Sequence, residues 1–162
     1  MVIDALAKAL SDEDWRVRQS AVTALGKTKD TKAIQLLTTA LRDRNPDVRE
    51  KAGEVLIHMG AIDRVIKALG NKNKNVRQSA AKALGGSKDK SAVRSLTEAI
   101  EDNNSDVREE AARALRHFET AEVKEALRAS IITCLRSHWR SPDSSSVCCL
   151  THSVRQRYCF QT

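Results

Sequence analysis

Four arginines recur in this 162-residue chain, each directly after a valine: Arg18, Arg49, Arg77 and Arg108. Six residues before each stands an oxygen acceptor, Asp12, Asp43, Asn71 or Asp102. A guanidinium presents a planar fork of donors, so a carboxylate opposite it can accept two parallel, charge-assisted hydrogen bonds. That chemistry suits either a row of ligand-binding cations or an internal ladder. The acid accompanying the arginines favours the ladder, because a partly buried charge needs a partner. Asn71 is its weak rung.

Other reactive residue types are present without a constellation that could use them. Glu109 and Glu110 are neighbours on a helix surface and point in different directions, so they cannot clasp one substrate as acid and base. His58 and His117 each lie ten residues after their valine but two units apart, and with helices packed about 8 to 10 Å apart one metal cannot use both. Cys134, Cys148, Cys149 and Cys159, with His138 and His152, fit no common zinc spacing. The chain has no H-E-x-x-H, phosphate loop or G-x-S-x-G, and Gly85-Gly86 reads as a helix stop. No catalytic residue, metal or cofactor is expected.

The elements that carry the arginines are read from what surrounds them. Successive Val-Arg pairs are 31, 28 and 31 residues apart, a period that means stacked supersecondary units. Leu10, Leu41, Leu69 and Ile100 stand seven before the valine, and Leu6, Leu37, Val65 and Leu96 eleven before it. Ala21, Ala52, Ala80 and Ala111 stand four after it, and Leu25, Leu56, Leu84 and Leu115 eight after it. Apolar residues at three, four and seven on both sides make two amphipathic helices per unit. The break within each pair falls at SDED, RDRNPD, GNKNKN and EDNNSD, which is turn and N-cap chemistry, with Pro46 suited to a first helical position. Between units, GKTKDTK and GGSKDKS place Gly26 and Gly85 where a left-handed C-cap is expected. The three-residue deletion of the shorter unit maps to its inter-unit turn, HMGAID.

The layout D-x4-V-R, then A-x2-A-L, resembles HEAT repeats, in particular the short variety of phycobilin lyase-type proteins and artificial HEAT-like binding scaffolds. The resemblance covers residues 2 to about 131. It implies an all-α, right-handed α-solenoid of stacked antiparallel helix pairs, about four full pairs plus one extra helix. It also implies that the second helix of each pair lines the concave face, and it implies no chemistry. HEAT-like deoxyhypusine hydroxylases bind iron through His-Glu dipeptides, and none of the four histidines here is followed by Glu. HEAT-like alkylpurine DNA glycosylases have basic grooves and aromatic residues, for which Trp15 alone is a poor substitute. Trp15 reads instead as a lid on its helix junction, with an exposed binding anchor as the alternative.

The expected solenoid spans residues 1–131, and residues 132–162 form a non-repeat tail. Leu127 and Ile131 continue a fifth first helix, but the next ladder position is Thr133 and the next Val-Arg position holds His138 and Trp139. The tail has no Lys or Glu, all four cysteines and the run SPDSSS. An unstructured or poorly packed extension is the leading reading, with a reading-frame or truncation artefact as one source. An irregular cap, disulfides and zinc are the alternatives. Both abrupt ends also fit a fragment of a longer scaffold. The repeat body lacks cysteine, no apolar run suits a membrane helix, and MVIDALAKAL makes no signal peptide, so a cytoplasmic protein is expected.

Net charge is +7, yet residues 1–131 hold 24 Lys and Arg against 20 Asp and Glu, and the tail adds four Arg against one Asp. Outward positions of the second helices fall two, three and six residues after each valine. They are Gln19, Ser20, Thr23, Glu50, Lys51, Glu54, Gln78, Ser79, Lys82, Glu109, Glu110 and Arg113. Their charges sum near zero, so this face is no phosphate-tracking stripe. The expected function is noncatalytic, protein–protein interaction through the concave face. A phycobilin lyase-like subunit is one alternative. Nucleic-acid binding along the lysine-rich turns, at Lys27, Lys29, Lys32, Lys72, Lys74, Lys88 and Lys90, is the other.

Overall fold

The computed structural model describes residues 2–118 apart from 29 and 88. The expected boundary at 131, the fifth helix and the four cysteines lie outside the described residues. Eight α-helices follow in order among those described: α1 (Val2–Ala9), α2 (Trp15–Thr28), α3 (Thr31–Ala40), α4 (Pro46–His58), α5 (Ile62–Ala68), α6 (Lys74–Ser87), α7 (Ser91–Ala99) and α8 (Ser105–Leu115). They form four hairpins, and each second helix packs on the next, α2 on α4, α4 on α6 and α6 on α8. The first helices α3, α5 and α7 pack on one another only weakly. This is an α-solenoid.

Side-chain oxygens build the turns inside each hairpin. Oδ1 of Asp12, Asp43, Asn71 and Asp102 accepts the N–H two residues on, at 2.8, 2.8, 2.9 and 2.8 Å. A second such turn follows at once: Asn45 caps α4 through Asp47 N at 2.8 Å and Val48 N at 3.3 Å, with Pro46 in the first turn. Asn104 caps α8 in the same way, at 3.1 and 3.3 Å. These bonds occupy N–H groups that a helix start leaves without partners.

The core runs along the hairpin interiors. Leu25, Leu56, Leu84 and Leu115 are fully buried, as are Leu37, Val65 and Leu96 from the first helices. Each contributes about 1.5 to 3 kcal/mol on leaving water. Val48, Val76 and Val107 are buried too, whereas Val17 remains 40% exposed at the start of the stack. The first unit is thinly covered, and α1 buries no residue.

The glycine caps differ from the sequence expectation. Helices α2 and α6 run through Gly26 and Gly85 to Thr28 and Ser87, so neither glycine stops its helix. The reason is contact between second helices. A Cβ on Gly85 would come within 2.7 Å of Ala114 Cβ, and one on Gly26 within 2.5 Å of Val55 Cγ1. Gly60, in the shortened HMGAID turn, is the residue at φ 77°. There Gly60 N donates to Ile57 O at 2.9 Å and Ala61 N to Leu56 O at 2.8 Å, the paired bonds of a left-handed glycine cap.

Candidate functional site

The second helices offer two kinds of polar side chain: the Val-Arg arginines, buried at Arg18, Arg49 and Arg77 and half-buried at Arg108, and the row beside them. Arg18 Nε and Nη2 reach Asp43 Oδ2 and Oδ1 at 2.7 and 2.9 Å, with both side chains at most a tenth exposed. Arg77 holds Asp102 with the same two distances, and Nη2 adds Asn103 Oδ1 at 3.1 Å. Both pairs join a unit to the next one. Toward its own unit, each arginine's Nη1 donates to the carbonyl six residues back, of Asp12, Asp43, Asn71 or Asp102, every time at 2.8 Å. One residue position therefore serves two arginines, its carbonyl taking one and its carboxylate the other.

The charges respond to this geometry. Hydrogen bonds donated to the carboxylates of Asp43 and Asp102 raise the Arg18 and Arg77 guanidinium pKa values. Burial pushes the Asp43 carboxyl up, but the bonds from Arg18 and Asn45 N–H outweigh it, and the net value falls below the usual carboxylate range. Asp102 is lowered chiefly by Arg77. For Arg49 the equivalent ladder position holds Asn71 rather than an acid, and its Nε donates to Ser79 Oγ at 3.1 Å. Burial lowers its pKa. The position 25 residues beyond Arg108, Thr133, lies outside the described residues.

Two of the twelve residues expected to face outward do not. Ser79 is 6% exposed and accepts from Arg49, and Glu110 is 8% exposed. Each second helix packs on the one before it, α6 on α4 and α8 on α6, and Ser79 meets Arg49 of α4 across that contact. Thr23, Glu54, Lys82 and Arg113, six after each valine, are all exposed. Ser20 and Glu109 are exposed as well, and Gln19, Glu50, Lys51 and Gln78 are half-buried.

Charges in this row pair among themselves. Lys82 Nζ reaches across to Glu50 Oε2 at 2.6 Å, Lys51 bonds Glu54 at 3.0 Å, and Arg113 bonds Glu109 and Glu110 at 3.0 and 3.2 Å. Glu50 holds the Lys82 ammonium above its ordinary pKa. Reading the row by charge sum alone misses the Lys82–Glu50 bridge, although its opposite charges at roughly one repeat spacing are the signal that could have found it. On α2 the row is uncharged: Ser20 and Thr23 hydroxyls donate back to Arg16 O and Gln19 O.

The remaining candidates separate in space. Trp15 opens α2 half-buried, with the Arg16 guanidinium 5.1 Å from its ring centroid. His58 lines a cleft of about 590 Å³ with Glu54 and Asp89, while His117 is exposed beyond α8. Among the described residues no group of three or more His, Cys, Asp or Glu could hold a metal ion, and no helix is long and apolar enough to cross a membrane. Lys72 and Lys74 sit at the α5–α6 turn inside a hairpin, whereas Lys27, Lys32 and Lys90 sit between hairpins. The hairpin topology puts these at opposite edges, so they do not form one basic edge; Lys29 and Lys88 lie outside the described residues.

A family model of HEAT repeats matches residues 1–57 and 62–143. No curated protein matches the chain. Among solved structures, human deoxyhypusine hydroxylase is similar at 27% identity and TM-score 0.55, over 72% of this chain and 43% of that one. The chain thus spans less than half of the hydroxylase. The complex of CpcE and CpcF of phycocyanin lyase from Nostoc aligns at TM-score 0.59 and 19% identity, over 95% of this chain and 98% of that one. The Escherichia coli protein YibA aligns at TM-score 0.52 and 21% identity, over 78% and 51%. The last two show a common fold.

Proposed function

The chain belongs to the HEAT-repeat family, and from that premise we propose that it is a noncatalytic scaffold which binds another protein along the exposed row of its second helices. The observation that carries this reading is the continuous column of Thr23, Glu54, Lys82 and Arg113, exposed on every second helix in turn. The second helices pack on one another along the stack, which supports reading the row as the concave face. Gln19, Ser20, Glu50, Lys51, Gln78 and Glu109 flank the column. Ser79 and Glu110 leave the footprint because they are buried.

Internal pairing shapes what the row can bind. Lys82, Lys51 and Arg113 already have carboxylates, so a polyanion finds no uncompensated stripe. A protein surface of mixed polarity can exchange these exposed pairs for its own, since such pairs are worth only about 0.2 to 1 kcal/mol each. The ladder residues Asp12, Arg18, Asp43, Arg49, Asn71, Arg77, Asp102 and Arg108 brace the stack beneath. Alanine substitution across Lys51, Glu54, Lys82 and Arg113 should weaken, by tenfold or more, the affinity for a partner recovered by pull-down. Unchanged affinity would overturn the assignment of this face. Incubation with bilin and apoprotein should leave no covalent pigment, and pigment attachment would overturn the noncatalytic reading.

A further inference from the structure

We propose that the cleft between the C-terminal ends of α4 and α6 is a seat for an arginine side chain of a partner protein. Its volume is about 590 Å³, and its lining joins the last turn of α4, the Gly60 turn, the start of α5 and the last turn of α6. Ile57 and Ile62, both half-buried, and the buried Ala83 give it an apolar part. Glu54 and Asp89 give it two acids, and among the described residues no Lys or Arg lines it. The chain as a whole carries more basic than acidic side chains, so this local excess of acid runs against its composition.

Comparison of the units shows which side chain this one lacks. Ten residues after the valine of each Val-Arg pair stand Lys27, His58, Gly86 and His117. Three units thus place a basic or titratable side chain where the second helix ends, and the unit of α6 places none. Lys27 and His58 lie in the last turns of α2 and α4, whereas the last turn of α6 holds no basic residue. A helix C-terminus carries partial negative charge that a nearby cation offsets, and α6 does not supply that cation itself. Gly86 and Gly60 both line the cleft, and a Cβ on either would meet nothing within 4 Å. The space that a side chain takes in the other units is therefore open here.

Chemistry selects the occupant. Asp89 is held in place: its Oδ1 accepts Ser91 N–H at 2.9 Å, and bonds from that N–H and from the Ser91 hydroxyl keep its carboxyl below the usual range. Glu54 pairs with Lys51 at 3.0 Å with both side chains more than a third exposed, a contact weak enough to be exchanged. An arginine stem covers apolar surface while its head stays at a polar rim. A guanidinium, weakly hydrated and with donors in a fixed fork, serves acceptors on two elements better than a compact ammonium does. Glu54 also belongs to the exposed row, so the source of the arginine, a protein lying along that row, rests on the reading of the row as a protein-binding face. The preference of the cleft for the side chain does not.

Nα-acetyl-arginine amide is the probe, added to the full chain and followed through the backbone amide resonances. Those of Gly60 and Gly86 should shift saturably, whereas neutral Nα-acetyl-citrulline amide, of the same shape, should not saturate at equal concentration. Nα-acetyl-lysine amide should bind several-fold more weakly. Asp89→Asn, which keeps an acceptor for Ser91 N–H, should weaken arginine binding several-fold. Gly86→Leu, which fills the cleft from a helical position where a Cβ meets open space, should abolish saturation with no fall in the thermal midpoint. Alanine at Lys82 and Arg113 should leave amide binding unchanged while weakening a protein partner, so the row and the cleft can fail separately. Absence of shifts in the unaltered chain, or binding that survives in Gly86→Leu, would overturn the site. Equal binding of the citrulline amide would overturn the role of charge, and equal binding of the lysine amide the choice of arginine.

Discussion

A guanidinium that holds a carboxylate 25 residues away and two carbonyls of its own turn, as Arg18 does, is expensive to orphan. Asp43→Asn leaves that charge buried without an opposite one and should cost about 3 to 5 kcal/mol in urea unfolding. The acid dependence follows from the same bonds. The carboxyls of Asp43 and Asp102 are lowered in the folded chain, so the unfolded chain binds more protons as pH falls through the ordinary value of about 3.9. Their contribution is complete above that value and drains below it, toward the folded values. Stability measured from pH 6 down to pH 2 should therefore fall less steeply in the Asp43→Asn, Asp102→Asn double variant. Sequence alone revealed the arginines, the acids and their partnership. It left open which unit supplies the acid, because both choices satisfy the spacing; that was decided by how hairpins stack.

Glycine shows how one residue type answers different demands within a helix or at its end. Gly85→Ala forces a methyl into Ala114 and should destabilise by about 1 to 3 kcal/mol. A Cβ at its neighbour Gly86 would meet open space, with nothing within 4 Å, so Gly86→Ala should stabilise by about 0.5 to 1 kcal/mol through helix propensity. Opposite signs at adjacent positions, read by thermal unfolding, would distinguish contact from conformation. Gly60→Ala should cost about 1 kcal/mol because its φ of 77° is unfavourable for a Cβ. The helices themselves were legible from Leu and Ala columns at three, four and seven. Gly26 and Gly85 were not, since a glycine at a contact and a glycine at a cap look identical until the neighbouring helix is in place.

Along the whole stack, coverage is uneven. Helix α1 buries nothing and Val17 is 40% exposed, whereas α6 is flanked by α4 and α8 and buries eight residues. Amide exchange should accordingly be fastest in α1 and slowest in α6, since local opening tracks buried contact; equal protection would contradict this order. Of the twelve positions read as outward, six are exposed, four half-buried and two buried. Ser79 and Glu110 departed because they are buried, Ser79 against Arg49 of the preceding second helix, a packing that no single unit encodes. Asn71 has a mechanical consequence. In a one-dimensional array, each junction bears load on its own, and the first and third junctions are tied by doubly bonded ion pairs. The middle one has the Arg49 guanidinium bonded to the uncharged Ser79 hydroxyl and the exposed Lys82–Glu50 bridge. Shear along the stack will thus concentrate between α4 and α6, and the protein should yield there as two stiff halves rather than fraying from one end.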